Sequence, residues 1–279
     1  MVLKSFAKIN LTLSVIKKMA NGFHDIQSLF CLVDLSDKIY IKKIYNKKID
    51  EISFRGPFSK MVKKNENSIK KILRIMRQKN MIFNYYSIKV IKNIPVFSGF
   101  GGGTSNAATI LKHLINKKIK KKTIEEFTNK IGSDLRLFFY KQGFLRNLKT
   151  IVKLRKEHKL YFLLAFPRIK SSTKKVYLKT KQRSKKRVFL QKSKKNKKNL
   201  LNFISSVGND LQLDVEKNNP TIRELLINIC KESGCYLSKM TGSGSACFGL
   251  FINERCSKAA LISLRKKYPK FWFSIAKTI

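Results

Sequence analysis

The sequence predicts a two-domain α/β protein, and three observations lead there. Its 279 residues, 43% of them hydrophobic, suffice for one large core or two moderate ones. Through the first half, stretches of period-two alternation interleave with stretches of helical spacing. A later apolar run from Lys159 to Pro167 (Lys-Leu-Tyr-Phe-Leu-Leu-Ala-Phe-Pro) reads as a buried strand opening a second unit.

The elements follow in order. Phe6, Leu11, Leu13 and Val15 are assigned to one face of a first strand, with Lys8, Asn10, Thr12 and Ser14 on a polar face. Asn21-Gly22 signals a turn, after which Ile26 to Val33 and Lys38 to Ile44 read as two extended segments. Ile69, Ile72, Leu73 and Met76 fall at helical spacing, so a helix is expected from Ser68 to Met76. Tyr85 to Val90 alternates as a strand and ends at Asn93-Ile94-Pro95. A helix follows the glycine-rich stretch described below, and another is expected from Thr123 to Ile131. Thr123 stands there as N-cap and Glu126 at the third helical position, a capping-box pattern. Beyond the second buried strand, the lysine-rich tract from Lys179 to Asn199 reads as a mobile loop. Leu211 to Glu216 and Thr221 to Lys231 read as helices, and a second glycine turn, Met240 to Gly249, precedes an apolar strand.

Composition bounds the function. A formal net charge of +45, from 61 Lys+Arg against 16 Asp+Glu, is the kind of balance that suits nucleic acid or an anionic membrane. The lysines are dispersed from Lys17-Lys18 to the tract Lys192 to Lys198, which also fits a coding bias filling tolerant surface positions. Cys31, Cys230, Cys235, Cys247 and Cys256 form no Cys-x-x-Cys pair, and only three histidines accompany them. Reduced thiols in a cytoplasmic protein are therefore expected, without a zinc site or disulfide framework. The residues after Met1 alternate with Lys4, Lys8 and Asn10, unlike a signal peptide. The longest uncharged stretch, Pro95 to Leu111, is too rich in Gly, Ser, Thr and Asn to span a bilayer.

The most specific signal is Pro95-Val-Phe-Ser-Gly-Phe-Gly-Gly-Gly-Thr-Ser-Asn-Ala-Ala108 running into a helical stretch, with four of the 13 glycines packed into it. Such a loop delivers bare backbone N–H groups onto a helix N-terminus, where phosphate is favoured. It lacks the Gly-Lys-Ser/Thr ending of a P-loop, and no Gly-x-Gly-x-x-Gly follows the first strand as a Rossmann fingerprint requires.

This loop closely resembles the central phosphate-binding motif of the GHMP kinases, in the version carried by the diphosphocytidyl-methylerythritol kinases. Three more segments match in order: Ala7-Lys8-Ile9-Asn10 with Gly22-Phe23-His24, then Gly132-Ser133-Asp134, then Thr241-Gly242-Ser243-Gly244-Ser245. Together they span almost the whole chain. The resemblance implies ATP-dependent phosphorylation of the tertiary 2-hydroxyl of a diphosphocytidyl-methylerythritol, a step of non-mevalonate isoprenoid precursor synthesis, with Mg²⁺ balancing phosphate charge. It implies a ribosomal-protein-S5-domain-2-like N-terminal domain over residues 1–152 and a ferredoxin-like α+β domain over 153–279, with the active site in the cleft between them.

Carried over by motif, Asp134 is the base for the hydroxyl proton and Lys8 lies beside it, suited to balancing charge near the transferred group. Without the motifs, a helix-capping carboxylate and a surface lysine are the better readings of those two residues. Pro95, Gly99, Gly101, Gly102, Gly103, Thr104, Ser105 and Asn106 are assigned to the ATP phosphates, and Asn67 and Ser68 to the adenine pocket. Asn10, Phe23 and His24 are assigned to the cytidine diphosphate end, together with Gly242, Ser243 and Gly244. Thr173 and Tyr177 keep the spacing of the family's Thr and aromatic pair, so Tyr177 closes the second face of the base. No metal ligand can be named.

The chain departs from the pattern in three places. Phe23 stands for Tyr, keeping the ring face for stacking but losing the hydroxyl. Arg136 replaces the usual Pro in Gly132-Ser-Asp-Leu-Arg-Leu-Phe138, and Phe97-Ser98 stands where Met-Gly or Ala-Gly is common. The expected partners are a small-molecule substrate and ATP, with no specific nucleic acid and no membrane, for a monomer or homodimer. Two rivals remain on the sequence alone: a homoserine- or mevalonate-type kinase of the same family, and a kinase fold repurposed as a basic nucleic-acid-binding protein.

Overall fold

The computed structural model describes residues 1–20, 22, 24–63, 65–115, 119–154, 156–171, 173–180 and 196–279. Phe23, Asn21 and residues 181–195 of the lysine-rich tract lie outside the described residues. The chain runs β1 (Val2–Asn10), β2 (Ser14–Lys18), β3 (His24–Ile44), β4 (Glu51–Arg55), α1 (Ser68–Gln78), β5 (Tyr85–Ile91), α2 (Gly102–Ile115) and α3 (Lys121–Ile131). A 3-10 turn (Ser133–Phe139) leads to β6 (Gln142–Asn147), β7 (Thr150–Lys153), β8 (Tyr161–Phe166), α4 (Thr173–Lys179), α5 (Lys197–Ser206) and α6 (Gln212–Asn218). The last elements are α7 (Pro220–Lys231), β9 (Cys235–Met240), β10 (Cys247–Phe251), α8 (Glu254–Lys267) and β11 (Trp272–Lys277).

These elements form two compact units. The first comprises Met1–Lys8, Leu35–Val96 and Gly101–Tyr140, the second Ile9–Asp34, Phe97–Phe100 and Lys141–Ile279. In the first, residues 38–44 of β3 pair antiparallel with β5, which pairs parallel with β4. Helix α1 packs on α2 and α3, and α2 and α3 on the 3-10 turn. The helical spacing read from α1 buries Ile69, Ile72, Leu73 and Met76 as expected, with Ile75 beside them. Fully buried Ile39, Ile88, Val90, Ile110, Leu111 and Phe127 complete this core.

In the second unit, β2 pairs with the start of β3, residues 28–31 of β3 pair with β6, and β6 with β7. A four-stranded antiparallel sheet has the order β11-β8-β10-β9. With α7 packed on β9 and β10 and α8 on β8, β10 and β11, this is the split βαβ arrangement of a ferredoxin-like domain. Phe162 and Phe248 meet edge to face at 5.9 Å in its core.

Several expectations change. Strand β1 stops at Asn10 and β2 starts at Ser14, because the amides of Leu11 and Thr12 both turn to the Leu29 carbonyl, at 2.8 and 3.3 Å. Phe6 and Lys8, two apart in one strand, share a face, so Phe6 does not join Leu11, Leu13 and Val15. The polar face is not solvated either: Lys8, Asn10, Thr12 and Ser14 are all buried. The two segments expected at 26–33 and 38–44 are one strand, β3. Helix α3 starts at Lys121, capped by no side chain, so the Thr123 capping box does not form; Glu126 instead pairs with Lys79 at 2.5 Å. Lys197 to Asn199 open α5 instead of extending a loop, and Gly249 lies inside β10, the turn ending before Cys247.

Candidate active site

The first unit assembles a charged pair beside a bare helix end. Lys8 Nζ meets Asp134 Oδ2 at 3.0 Å; the lysine side chain is 4% exposed and the carboxylate 33%, so the cation is enclosed and the carboxylate keeps an open side. Ser105 pins the start of α2 to β1 next to Lys8: its Oγ donates to the Phe6 carbonyl at 2.6 Å and accepts from Ser5 Oγ at 2.8 Å. Gly101 sits at φ +72°, and a methyl group there would stand 2.9 Å from the Phe138 ring and 3.2 Å from Lys8 Cγ. Only glycine lets the lysine stem and that ring close on the loop.

Helix α2 begins at Gly102, and the Ser105 amide already donates to the Gly101 carbonyl at 2.9 Å. The amides of Gly102, Gly103 and Thr104 therefore have no acceptor within the helix, and they carry its positive end. Such a helix end favours an anion. Ser68 Oγ lies 2.9 Å from where a Gly103 side chain would begin, and Thr104 Oγ1 3.9 Å from the same point on Gly132, next to the turn holding Asp134. Asn67, Ser68, the loop from Gly101 and Asp134 are thus brought together, although the Asn67 side-chain Oδ1 is engaged as the cap of α1, accepting from the Ile69 and Lys70 amides at 3.1 and 3.0 Å. Asn106 turns inward, where its Nδ2 donates to Asp37 Oδ2 at 3.2 Å.

The second unit gathers the residues assigned to the cytidine end. The Asn10 amide donates to Thr241 Oγ1 at 2.9 Å, while its side chain donates to Ser28 at 2.8 Å. Ser243 is held twice, by Thr173 Oγ1 at 2.9 Å from its hydroxyl and by Ser171 Oγ at 2.7 Å on its carbonyl. The Gly244 amide closes the same turn on the Thr241 carbonyl at 3.1 Å. Four residues after Thr173 on α4, Tyr177 faces His24 with ring centroids 5.1 Å apart. The two rings border a cavity of about 160 Å³ shared with Val15, Lys18, Leu178 and Thr180. Gly99 belongs to this unit, at φ +92°, under the carbonyl of Thr241.

Comparison with known proteins agrees with this layout. Residues 67–141 match the model for the GHMP kinases N terminal domain and residues 189–270 that for the GHMP kinases C terminal. The chain is 34% identical to the 4-diphosphocytidyl-2-C-methyl-D-erythritol kinase of Pelagibacter ubique (strain HTCC1062), over 99% of this chain and 98% of that one. It is 30% identical to the enzyme of the same name from Wolbachia sp. subsp. Brugia malayi (strain TRS), with 99% and 98% covered. The chain is a GHMP kinase of the 4-diphosphocytidyl-2-C-methyl-D-erythritol kinase family. Among solved structures, a 4-(cytidine 5'-diphospho)-2C-methyl-D-erythritol kinase superposes with a TM-score of 0.75 at 22% identity, covering 99% of each chain. The mevalonate kinase of L. major, with R-mevalonate, superposes with a TM-score of 0.66 at 12% identity, covering 99% of this chain and 95% of that one. These two likenesses establish the shared fold.

Within this GHMP kinase, the pKa of His24 is lowered, first by burial and then by the charge of Lys18, which favours the neutral ring. Arg136, where the family pattern has Pro, carries a buried guanidinium whose Nε finds no acceptor. Burial also lowers its pKa, opposed by Glu125 and Tyr140. A cation enclosed this way costs stability. Arg136→Met, which keeps the stem and removes the charge, is expected to raise Tm by about 2–4 °C in a thermal melt, with turnover within twofold.

Sequence reading missed residues that hold the site. Asn209 donates to the carbonyls of Met240 and Gly242 at 2.9 and 2.8 Å, fixing the second glycine turn. The cluster Gly208-Asn209-Asp210 was a legible turn signal for it. Thr241, part of the motif, is wholly buried and serves as the acceptor for Asn10. Asp37 and Lys92 form a buried pair beneath the glycine loop; among the many charged and polar residues around them, nothing local in the sequence marked either one.

Proposed function

We propose that this kinase transfers the γ-phosphoryl group of ATP to the tertiary 2-hydroxyl of 4-diphosphocytidyl-2-C-methyl-D-erythritol, giving the 2-phosphate and ADP, in the non-mevalonate route to isoprenoid precursors. The observation that carries this is the Lys8–Asp134 pair beside the first-turn amides of α2, which have no acceptor within the helix. Phosphoryl transfer asks for positioning and charge balance more than for covalent chemistry. The amides of Gly102 to Thr104 hold phosphate, and the Lys8 ammonium neutralises charge growing near the transferred group. One Asp134 oxygen stays on Lys8 while the other takes the hydroxyl proton as the alcohol oxygen attacks phosphorus in line.

Mg²⁺ fits this site as a companion of ATP. Among the described residues no group of three or more His, Cys, Asp or Glu is placed to cage a metal ion, and Mg²⁺ prefers phosphate oxygens and water with one or two carboxylates. It would supply charge neutralisation on the phosphates. Cytosine takes the His24 and Tyr177 cavity, with Asn10 and the Gly242 to Gly244 turn toward the diphosphate. We divide these roles between sequence domains 1–152 and 153–279. A cytoplasmic setting accords with five free thiols and an ATP co-substrate, and no described helix is long and apolar enough to cross a membrane.

The test is ADP release with Mg²⁺, ATP and each of 4-diphosphocytidyl-2-C-methyl-D-erythritol, homoserine, mevalonate and galactose. Turnover is expected with the cytidine compound alone. Tyr177→Ala should raise its KM roughly 5- to 150-fold, the worth of one base-stacking ring, with kcat little changed. Turnover on homoserine or mevalonate, or a Tyr177→Ala enzyme with unchanged KM, would defeat this assignment.

A further inference from the structure

Beneath the glycine loop lies a polar cluster that the transfer chemistry leaves unused. Asp37, in β3, is 0% exposed at its side chain and Lys92, just past β5, is 3% exposed; Nζ meets Oδ2 at 2.5 Å. Burying such a pair is costly, and removing one partner is costlier still, so its presence calls for a role. Every acceptor position of the carboxylate is used with direction. Oδ1 accepts from the backbone amides of Asn93 and Ile94 at 2.8 and 2.9 Å. Oδ2 accepts from Lys92 and from Asn106 Nδ2, the latter at 3.2 Å, and Lys92 also reaches Asn106 Oδ1 at 3.4 Å.

These four contacts fall on two places in the sequence. Asn93 and Ile94 immediately precede Pro95, where the loop begins, and Asn106 lies in the second turn of α2, where it ends. Lys92 Nζ is moreover 3.1 Å from the position of a Gly102 side chain, so the pair sits directly under the first residue of the helix. A shift of either end would move the amides of Gly102 to Thr104.

We propose that Asp37 is a positioning residue for the nucleotide: its buried carboxylate fastens both ends of the glycine loop and so sets the phosphate-binding amides in place. This rests on the reading that the loop binds ATP phosphate. Lys92 is the charge partner that lets the carboxylate be buried, and Asn106 is the arm that reaches α2.

A purely structural ion pair is separated from a positioning one by removing both charges together. Asp37→Asn, Lys92→Met and the double variant are compared with the unaltered kinase for Tm, for ATP affinity by calorimetry, and for kcat and both KM values. The single variants leave a buried charge or an unfilled acceptor and lose Tm, Lys92→Met the more because a bare carboxylate remains. The double variant removes the buried charge and should regain most of the Tm. ATP affinity should nevertheless stay about 10- to 100-fold weaker, with the KM for the cytidine substrate within threefold, since an ångström of misplacement in a binding frame costs that much. A double variant that regains both Tm and ATP affinity overturns the proposal, as does an equal rise in the two KM values. An unaltered kinase that binds no ATP overturns the loop assignment and this proposal together, whereas tight ATP binding in every variant overturns this proposal alone.

Discussion

Asp134→Asn is expected to lower kcat about 10²- to 10⁴-fold while leaving the KM for ATP within a few-fold. The substitution keeps the shape and an oxygen for Lys8, but an amide cannot take a proton from the substrate hydroxyl. Its fold cost is modest: Lys8 is enclosed, yet Asp134 is a third exposed, so solvent screens the lost charge and about 1–2 kcal/mol of stability is at stake. A thermal melt beside steady-state kinetics separates the two effects. Were kcat to fall less than tenfold in a folded variant, Asp134 would serve as an electrostatic partner of Lys8 and the proton would leave by another route, as a loose phosphoryl-transfer transition state permits.

Gly99→Ala is the largest effect expected from a single added methyl. The backbone there has φ +92°, and the methyl would stand 2.6 Å from the Thr241 carbonyl oxygen and 3.3 Å from that of Gly244. Both obstacles are main chain, so no side chain can swing aside. The strained dihedral costs about 1–2 kcal/mol and the overpacking about 1–3 more. The displacement is not confined to the loop, because the Ser98 carbonyl accepts from the Ala246 amide at 3.0 Å. Tm is therefore expected to fall by roughly 4–10 °C and the KM for ATP to rise at least tenfold. Gly208→Ala is the control: nothing lies within 4 Å of its methyl and its φ carries no penalty. It should leave Tm unchanged or slightly raised. Equal behaviour of the two variants would remove the steric argument.

Much of the candidate site could be proposed from the sequence because it is written in short, local patterns. A run of glycines before a helix declares its own chemistry, since bare amides and a helix end are properties of adjacent residues. The same holds for α1, whose buried face repeats at the helical period, and for the Thr173 and Tyr177 spacing that one helix turn converts into a shared face. Elements with weaker local signatures went unread. β4, β6, β7, α4, α5, β9, α8 and β11 were not foreseen; β7 is a four-residue strand and β11 alternates only partly.

By itself, then, the sequence determined the family and the glycine loop that runs into a helix, because those depend on which residue types stand next to one another. Only the tertiary structure decided which of 61 basic side chains became partners of carboxylates. Lys8 and Lys92 look like any other lysine in a chain of net charge +45; burial and a carboxylate at 3.0 or 2.5 Å make them different. Tertiary structure also turned the polar face of the first strands inward, where Asn10, Thr12 and Ser28 satisfy one another. Hydrogen-bond partners distant in sequence leave no periodicity, and a buried polar group is recognisable only once its neighbours have been brought to it.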